Sequence, residues 1–114
     1  MELTVIREDE ELSYVALAGQ LDVTGVKEIE PKFVEHTSAR GKPTLIDMSR
    51  VTFLASLGMR MLLRCARALK GRGTKMVLLK AQPLVEQALK VACLDQVFAI
   101  EQDEAHAVEV LKAQ

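Results

Sequence analysis

Ser56 is the residue of this 114-residue chain whose position most invites chemistry. It stands between an apolar run, Val51-Thr52-Phe53-Leu54, and a stretch of helical periodicity that opens Leu57-Gly58-Met59-Arg60. A serine at such a junction reads as an N-cap, its hydroxyl oxygen accepting from a free amide of the first turn. Taken alone, capping is the ordinary role for it. The same place also suits a phosphate, because the first turn carries unpaired N–H groups and partial positive charge. Phosphorylation would add nearly two negative charges and three strong acceptors there. Arg60, one turn further along the same side, is placed to pair with them.

A nucleophilic Ser56 would need a histidine base held by a third group. The two histidines, His36 and His106, are far apart and neither neighbours a recognisable acid motif. Leu54-Ala55-Ser56-Leu57-Gly58 supplies only the second glycine of a Gly-x-Ser-x-Gly elbow. No catalytic residue is expected, and the chain is read as a non-enzyme. There is no phosphate loop of Walker type, no dinucleotide fingerprint and no His/Cys pair at ligand spacing. Neither a cofactor nor a metal is expected.

Arg60, Arg64 and Arg67 share one face of the helix that follows Ser56, with Lys70 and Arg72 just beyond. They form either a solvated basic face or a docking stripe for an acidic partner surface, which would make association salt-dependent. Met61 belongs to the apolar stripe, whereas Met59 should point outward near Ser56 as an adaptable contact. Asp22 is placed to cap an earlier helix. Asp47 and Ser49 are placed to bond local backbone and fix the approach to Ser56.

The elements that must position these residues follow from periodicity. Residues 3–7 and 12–18 alternate as a strand pair around the acidic turn 8–11. A helix is expected from Asp22 or Val23 to Ala39, with Val26, Ile29, Phe33 and Val34 recurring at its spacing. Pro31 should bend that helix or move its start later. Gly41-Lys42-Pro43 marks a turn and 44–48 a short buried strand, followed by a loop to Ser56. The next helix carries Leu57, Met61, Leu62, Cys65 and Leu69 and stops at Gly71-Arg72-Gly73. A strand at 76–79 precedes a helix begun by Pro83, with Leu84, Val85, Ala88, Leu89 and Val91 as its inner face. A strand at 97–100 and a helix opened by Asp103, carrying Ala107, Val110 and Leu111, complete the chain. Strands alternating with helices predict an α/β domain, its sheet largely parallel after the first hairpin.

Size and charge bound the rest. One small domain spanning 1–114 is expected, without repeat, linker or low-complexity segment. With 15 basic and 16 acidic residues, direct binding of nucleic acid is not expected. No apolar stretch reaches membrane-spanning length, and Met1-Glu2-Leu3-Thr4 lacks the start of a signal peptide. Cys65 and Cys93 lie in helical apolar patterns and read as buried small hydrophobes. A cytoplasmic protein is expected.

Three strings carry a resemblance: Leu45-Ile46-Asp47-Met48-Ser49, then Val51 to Gly58, then Gly71-Arg72-Gly73-Thr74-Lys75-Met76-Val77-Leu78-Leu79. Together they resemble the STAS domain family, and more narrowly its bacterial anti-sigma factor antagonists. Gly19-Gln20-Leu21-Asp22 is similar to the family's Gly-Glu-Leu-Asp loop, and Leu94-Asp95-Gln96-Val97-Phe98 to its run before the last strand. The resemblance implies a STAS-type fold, with a central mixed sheet and four helices. It implies that Ser56 is phosphorylated by a partner that is both a serine kinase of histidine-kinase-like ATPase type and an anti-sigma factor. A serine phosphatase reverses the mark. Asp22, Leu57, Gly58 and Met59 would then join Ser56 in the docking surface, beside the arginines Arg60 and Arg64. Two positions depart from the family pattern: Ala55 stands where Asp usually precedes the serine, and Leu57 where Ser or Thr often follows. The alternative is a STAS accessory subunit of a transporter or stress-sensing complex with no phosphorylation switch.

Overall fold

Two apolar periods, one of two residues and one of 3.6, alternate along the chain, and the computed structural model, which describes residues 1–113, turns them into a sheet with helices on both faces. The elements are β1 (Glu2–Glu8), β2 (Ser13–Leu21), α1 (Val23–His36), β3 (Thr44–Leu54), α2 (Ser56–Gly71), β4 (Met76–Leu79), α3 (Pro83–Val91), β5 (Ala99–Glu101) and α4 (Glu104–Lys112). Short 3₁₀ turns lie at Ser38–Arg40 and Leu94–Gln96. The strands lie in sequence order β1-β2-β3-β4-β5. β1 is antiparallel to β2, and every later pair is parallel. The α/β class, the four helices and the mixed sheet match the sequence reading.

Alternation in the strands sorts side chains to two cores. Val15, Leu17, Ile46, Met48 and Leu78 face a large core with Ile29 and Phe33 of α1, Met61, Leu62, Cys65 and Leu69 of α2, and Val85 and Leu89 of α3. Tyr14, Leu45, Val77 and Leu79 face the other way, onto Ala107 and Leu111 of α4. The smaller core has a polar anchor: the Tyr14 hydroxyl donates to Glu104 Oε1 at 2.8 Å. Burial, and then that bond to a carboxylate, push the phenol above its ordinary pKa.

Several elements differ from expectation. Pro31 lies inside α1 and does not displace its start, which stays at Val23. The ring is on the exposed side, and the buried Val26, Ile29 and Phe33 hold the helix through it. The helix stops at His36, three residues short of the expected end, where Thr37 turns its hydroxyl back to the Phe33 carbonyl. β3 does not end at Met48. It continues to Leu54, through the segment expected to be a loop. Its register against β2 shifts between Ala16 and Ala18 and again between Gly19 and Gln20. These bulges put Met48, Val51 and Leu54 in the core at intervals of three, which hides the strand period. The last strand is β5 at Ala99–Glu101, and Leu94–Gln96 before it is a 3₁₀ turn. Cys93 is exposed rather than buried, because it follows the end of α3 in a left-handed conformation at φ 60°.

Candidate functional site

β2 and β3 end side by side, Leu21 against Leu54 as their last register pair. The chain leaves both strands at once, into Asp22 and into Ala55-Ser56. Asp22 caps α1 as expected, its Oδ1 accepting from the Gly25 N–H at 2.8 Å. Across the junction the Ala55 N–H donates to the Leu21 carbonyl at 3.1 Å. The two helix starts are therefore tied through one residue, Leu21.

Two glycines make that junction possible. Gly58, in the first turn of α2, rests directly on Leu21. A β-carbon there would sit 2.5 Å from the Leu21 oxygen and 2.7 Å from Leu21 Cγ, with Leu54 Cδ1 at 3.0 Å. Gly25 is tighter still: its β-carbon would lie 2.0 Å from the Gln20 oxygen. Any side chain at either place would force the helix starts off the strand ends.

Ser56 is exposed, but it is not the N-cap. Ala55 holds that position, extended at φ −98° and ψ 173°, and Ser56 is the first helical residue. The bond from Ala55 to Leu21 holds Ala55 extended in the cap position, so the helix begins one residue earlier than a serine cap requires. Ala55 has no side-chain oxygen, and no side chain caps the helix. The free amides of the first turn and their partial positive charge are thus left open beside the Ser56 hydroxyl.

The other predicted site residues divide by exposure. Leu57 and Met59 are half-buried and pack against the large core; Met59 is less outward than its spacing implied. Arg60 and Arg64 are exposed. The Arg64 guanidinium lies 3.8 Å from Glu30 of α1, so its charge is partly engaged. Among the described residues, Arg60 and Arg67 make no ion pair. The full length of α2 contains Arg60, Arg64, Arg67 and Lys70 and no acidic residue. Asp47 acts as expected, its Oδ1 accepting from the Ser49 N–H at 2.8 Å. His36 contacts Glu8 at 3.2 Å, at the end of the sheet where β2 begins. The nine residues of β2 from Ser13 to Leu21 separate that end from Ser56 by roughly 26 Å of strand.

Sequence reasoning missed one feature beside this site. Leu84 and Val91, expected on the inner face of α3, are 79% and 78% exposed, and Phe53 is 51% exposed. Phe53 and Leu54 of β3 face Leu84, Val85 and Ala88 of α3 across a groove of about 230 Å³. The Gln82 side chain spans the same gap, donating to the Ser49 carbonyl at 2.9 Å. The error came from counting every apolar residue of α3 to one face, although Leu84, Ala88 and Val91 repeat on a flank of their own.

No curated protein sequence matches the chain. Its fold is shared by solved structures. A putative anti-sigma factor antagonist of Thermotoga maritima superposes with a TM-score of 0.84 at 14% identity, over 94% of this chain and 92% of that one. The anti-sigma factor antagonist SpoIIAA, unphosphorylated, gives 0.76 at 20% identity over 97% and 96%. The phosphorylated form of SpoIIAA from Bacillus gives 0.70 at 19% over 97% and 100%. Murine Solute Carrier 26 family member A9, an anion transporter, gives 0.78 at 17% identity over 95% of this chain and 19% of the transporter. The family model described as "Mlab, STAS domain" matches residues 4–102. With its element order, mixed sheet and strand-to-helix junction at Ser56, the chain belongs to the STAS domain family.

Proposed function

We propose that this chain is a partner-switching module of the anti-sigma factor antagonist type, a binder and not a catalyst. In its unphosphorylated state it binds an anti-sigma factor that is also a serine kinase of histidine-kinase-like ATPase type. Phosphorylation of Ser56 releases it, and a serine phosphatase restores binding. The observation that carries this reading is the exposed Ser56 at an uncapped helix start, held rigidly against the Asp22 corner by Leu21 and Gly58. That SpoIIAA, of the same fold, occurs in phosphorylated and unphosphorylated forms supports it. The distance of His36 from Ser56 supports the absence of hydrolytic chemistry.

Charge gives the switch its direction. A partner fitted to the acid-free face of α2 presents negative groups, and a phosphate on Ser56 puts like charge against them. Within the chain the same phosphate is favoured by the open amides and by Arg60. The modification thus turns an attractive surface inward, satisfying it from the chain's own residues.

The test is incubation with a purified serine kinase of this ATPase type and ATP, followed by site mapping and binding measurements. Ser56→Asp should weaken binding by tenfold or more, a loss of about 1.4 kcal/mol, and Ser56→Ala should bind constitutively. No phosphate on Ser56, together with binding indifferent to both substitutions, would overturn the switch. In that event Ala55 favours the second reading, a STAS subunit held in a transporter or stress-sensing assembly. Stable co-purification with a membrane ATPase, unaffected by ATP-dependent phosphorylation, would establish that reading instead.

A further inference from the structure

α3 is apolar on more than the side it buries. Val85 and Leu89 enter the large core, while Leu84, Ala88 and Val91 form a second stripe at i, i+4 and i+7, with Leu84 and Val91 among the most exposed apolar residues of the chain. Helices apolar on two sides are ordinarily covered on both. The spacing of the second stripe is that of a helix–helix seam. β3 supplies the other wall. β4 pairs only with Thr44–Asp47, so the rest of β3 up to Leu54 has no strand on that edge, and Phe53 projects beside Leu84 over the groove.

The groove is continuous with the Ser56 face. Leu54 lines it and also packs at the Gly58 contact under the first turn of α2. The unpaired charges near the groove are basic: Arg50 stands two residues before Thr52 on β3, and Arg60 one turn past Ser56 on α2. Among the described residues, no carboxylate lies within ion-pair distance of Arg50, Arg60 or Lys80, whereas Glu86 is already engaged by Lys90 and Gln102.

We propose that an acidic amphipathic helix of the protein partner seats in the groove between β3 and α3, its apolar side on Phe53, Leu84 and Ala88 and running on to Val91 beyond the groove's end, and its carboxylates towards Arg50 and Arg60. The inference rests on the partner-switching reading and adds to it a second contact, apolar, beside the serine. The Leu84–Val91 stripe spans two helical turns, about 10.5 Å, enough to meet anchors at i, i+3 or i+4, and i+7 of the incoming helix. Phosphorylation of Ser56 would then reject the acidic flank while leaving the apolar seat intact.

The probe is a displayed library of 16-residue amphipathic helices selected on the full chain, with the enriched peptides titrated into isotope-labelled protein by NMR. Expected is enrichment of apolar residues at helical spacing flanked by Asp or Glu, with shifts centred on Phe53, Leu84, Ala88 and Val91. The double variant L84S/V91S should lose tenfold or more in affinity, and Arg60→Glu severalfold with reduced salt dependence. Both replaced side chains are exposed, and unchanged circular dichroism and thermal midpoint certify the fold. Failure to enrich a helical binder, shifts elsewhere, or affinity indifferent to L84S/V91S overturns the proposal. So does concentration-dependent self-association that the double variant abolishes, because a second copy then covers the stripe. A kinase that binds L84S/V91S normally and still responds to Ser56→Asp also sinks this inference while leaving the switch standing. A kinase indifferent to Ser56 but sensitive to L84S/V91S does the reverse.

Discussion

Gly58 of α2 lies directly on the carbonyl of Leu21 at the end of β2, so closely that a β-carbon on Gly58 would stand 2.5 Å from the oxygen. That oxygen also accepts the Ala55 N–H, so the contact sets both where α2 begins and how it sits against the Asp22 corner. Replacing Gly58 by Ala must push the two backbones apart. Overpacking of this kind costs about 1–3 kcal/mol, against about 1 kcal/mol gained in helix propensity. The net expectation is a lower urea midpoint with an unchanged m-value. A variant as stable as the parent would show that the junction yields freely.

The vacant cap at Ala55 gives a prediction of opposite sign. Ala55→Asp supplies the side-chain acceptor that α2 lacks and should raise stability by about 1 kcal/mol. Ser56→Ala, at the first helical position, removes no cap and should change stability by no more than about 0.5 kcal/mol. Thermal or chemical unfolding of the two variants decides the matter. A loss above about 1 kcal/mol for Ser56→Ala would mean that the hydroxyl does hold an amide of the first turn.

The two cysteines should separate cleanly by reactivity. Burial pushes the Cys65 thiol up to about 11, whereas Cys93 is exposed. A thiol reagent at pH 8 should titrate one equivalent quickly in the native protein and the second only on unfolding, since thiolate and access are both required. Two fast equivalents would contradict the buried position of Cys65.

Tyr14 is the chain's one tyrosine, so its ionisation can be followed by absorbance at 295 nm. Its folded pKa is raised, by burial first and then by the bond to Glu104. Stability from keeping this phenol protonated is therefore complete below its unfolded value near 10 and is lost as pH climbs beyond it. The native protein should show no phenolate step near pH 10, and ionisation should coincide with alkaline unfolding. Tyr14→Phe should remove that coupling and cost about 0.5–1.5 kcal/mol at neutral pH.

Much of this architecture was legible in one dimension. The apolar periods located every strand and helix, Asp22 and Asp103 announced the caps they form, and Gly71-Arg72-Gly73 marked the end of α2. The Ser56 segment stood out because a serine opens a helical pattern within a string that resembles a known family, although the strand leading into it reads in sequence as a loop. The length of β3 was hidden, because its bulges replaced alternation with intervals of three. The cap was misassigned to Ser56 because residue type favours serine, while the Leu21–Ala55 hydrogen bond, a contact across 34 positions, fixes the conformation one residue earlier.

The sequence by itself determined the class of fold, the order of its elements and the place of the serine, since these follow from local periodicity and chain order. Tertiary structure decided which helix start stays uncapped and which of the apolar residues of α3 are left facing solvent. Those outcomes depend on neighbours brought together by the sheet: Leu21 beneath Gly58, Phe53 beside Leu84, and a far end of β3 that β4 does not reach.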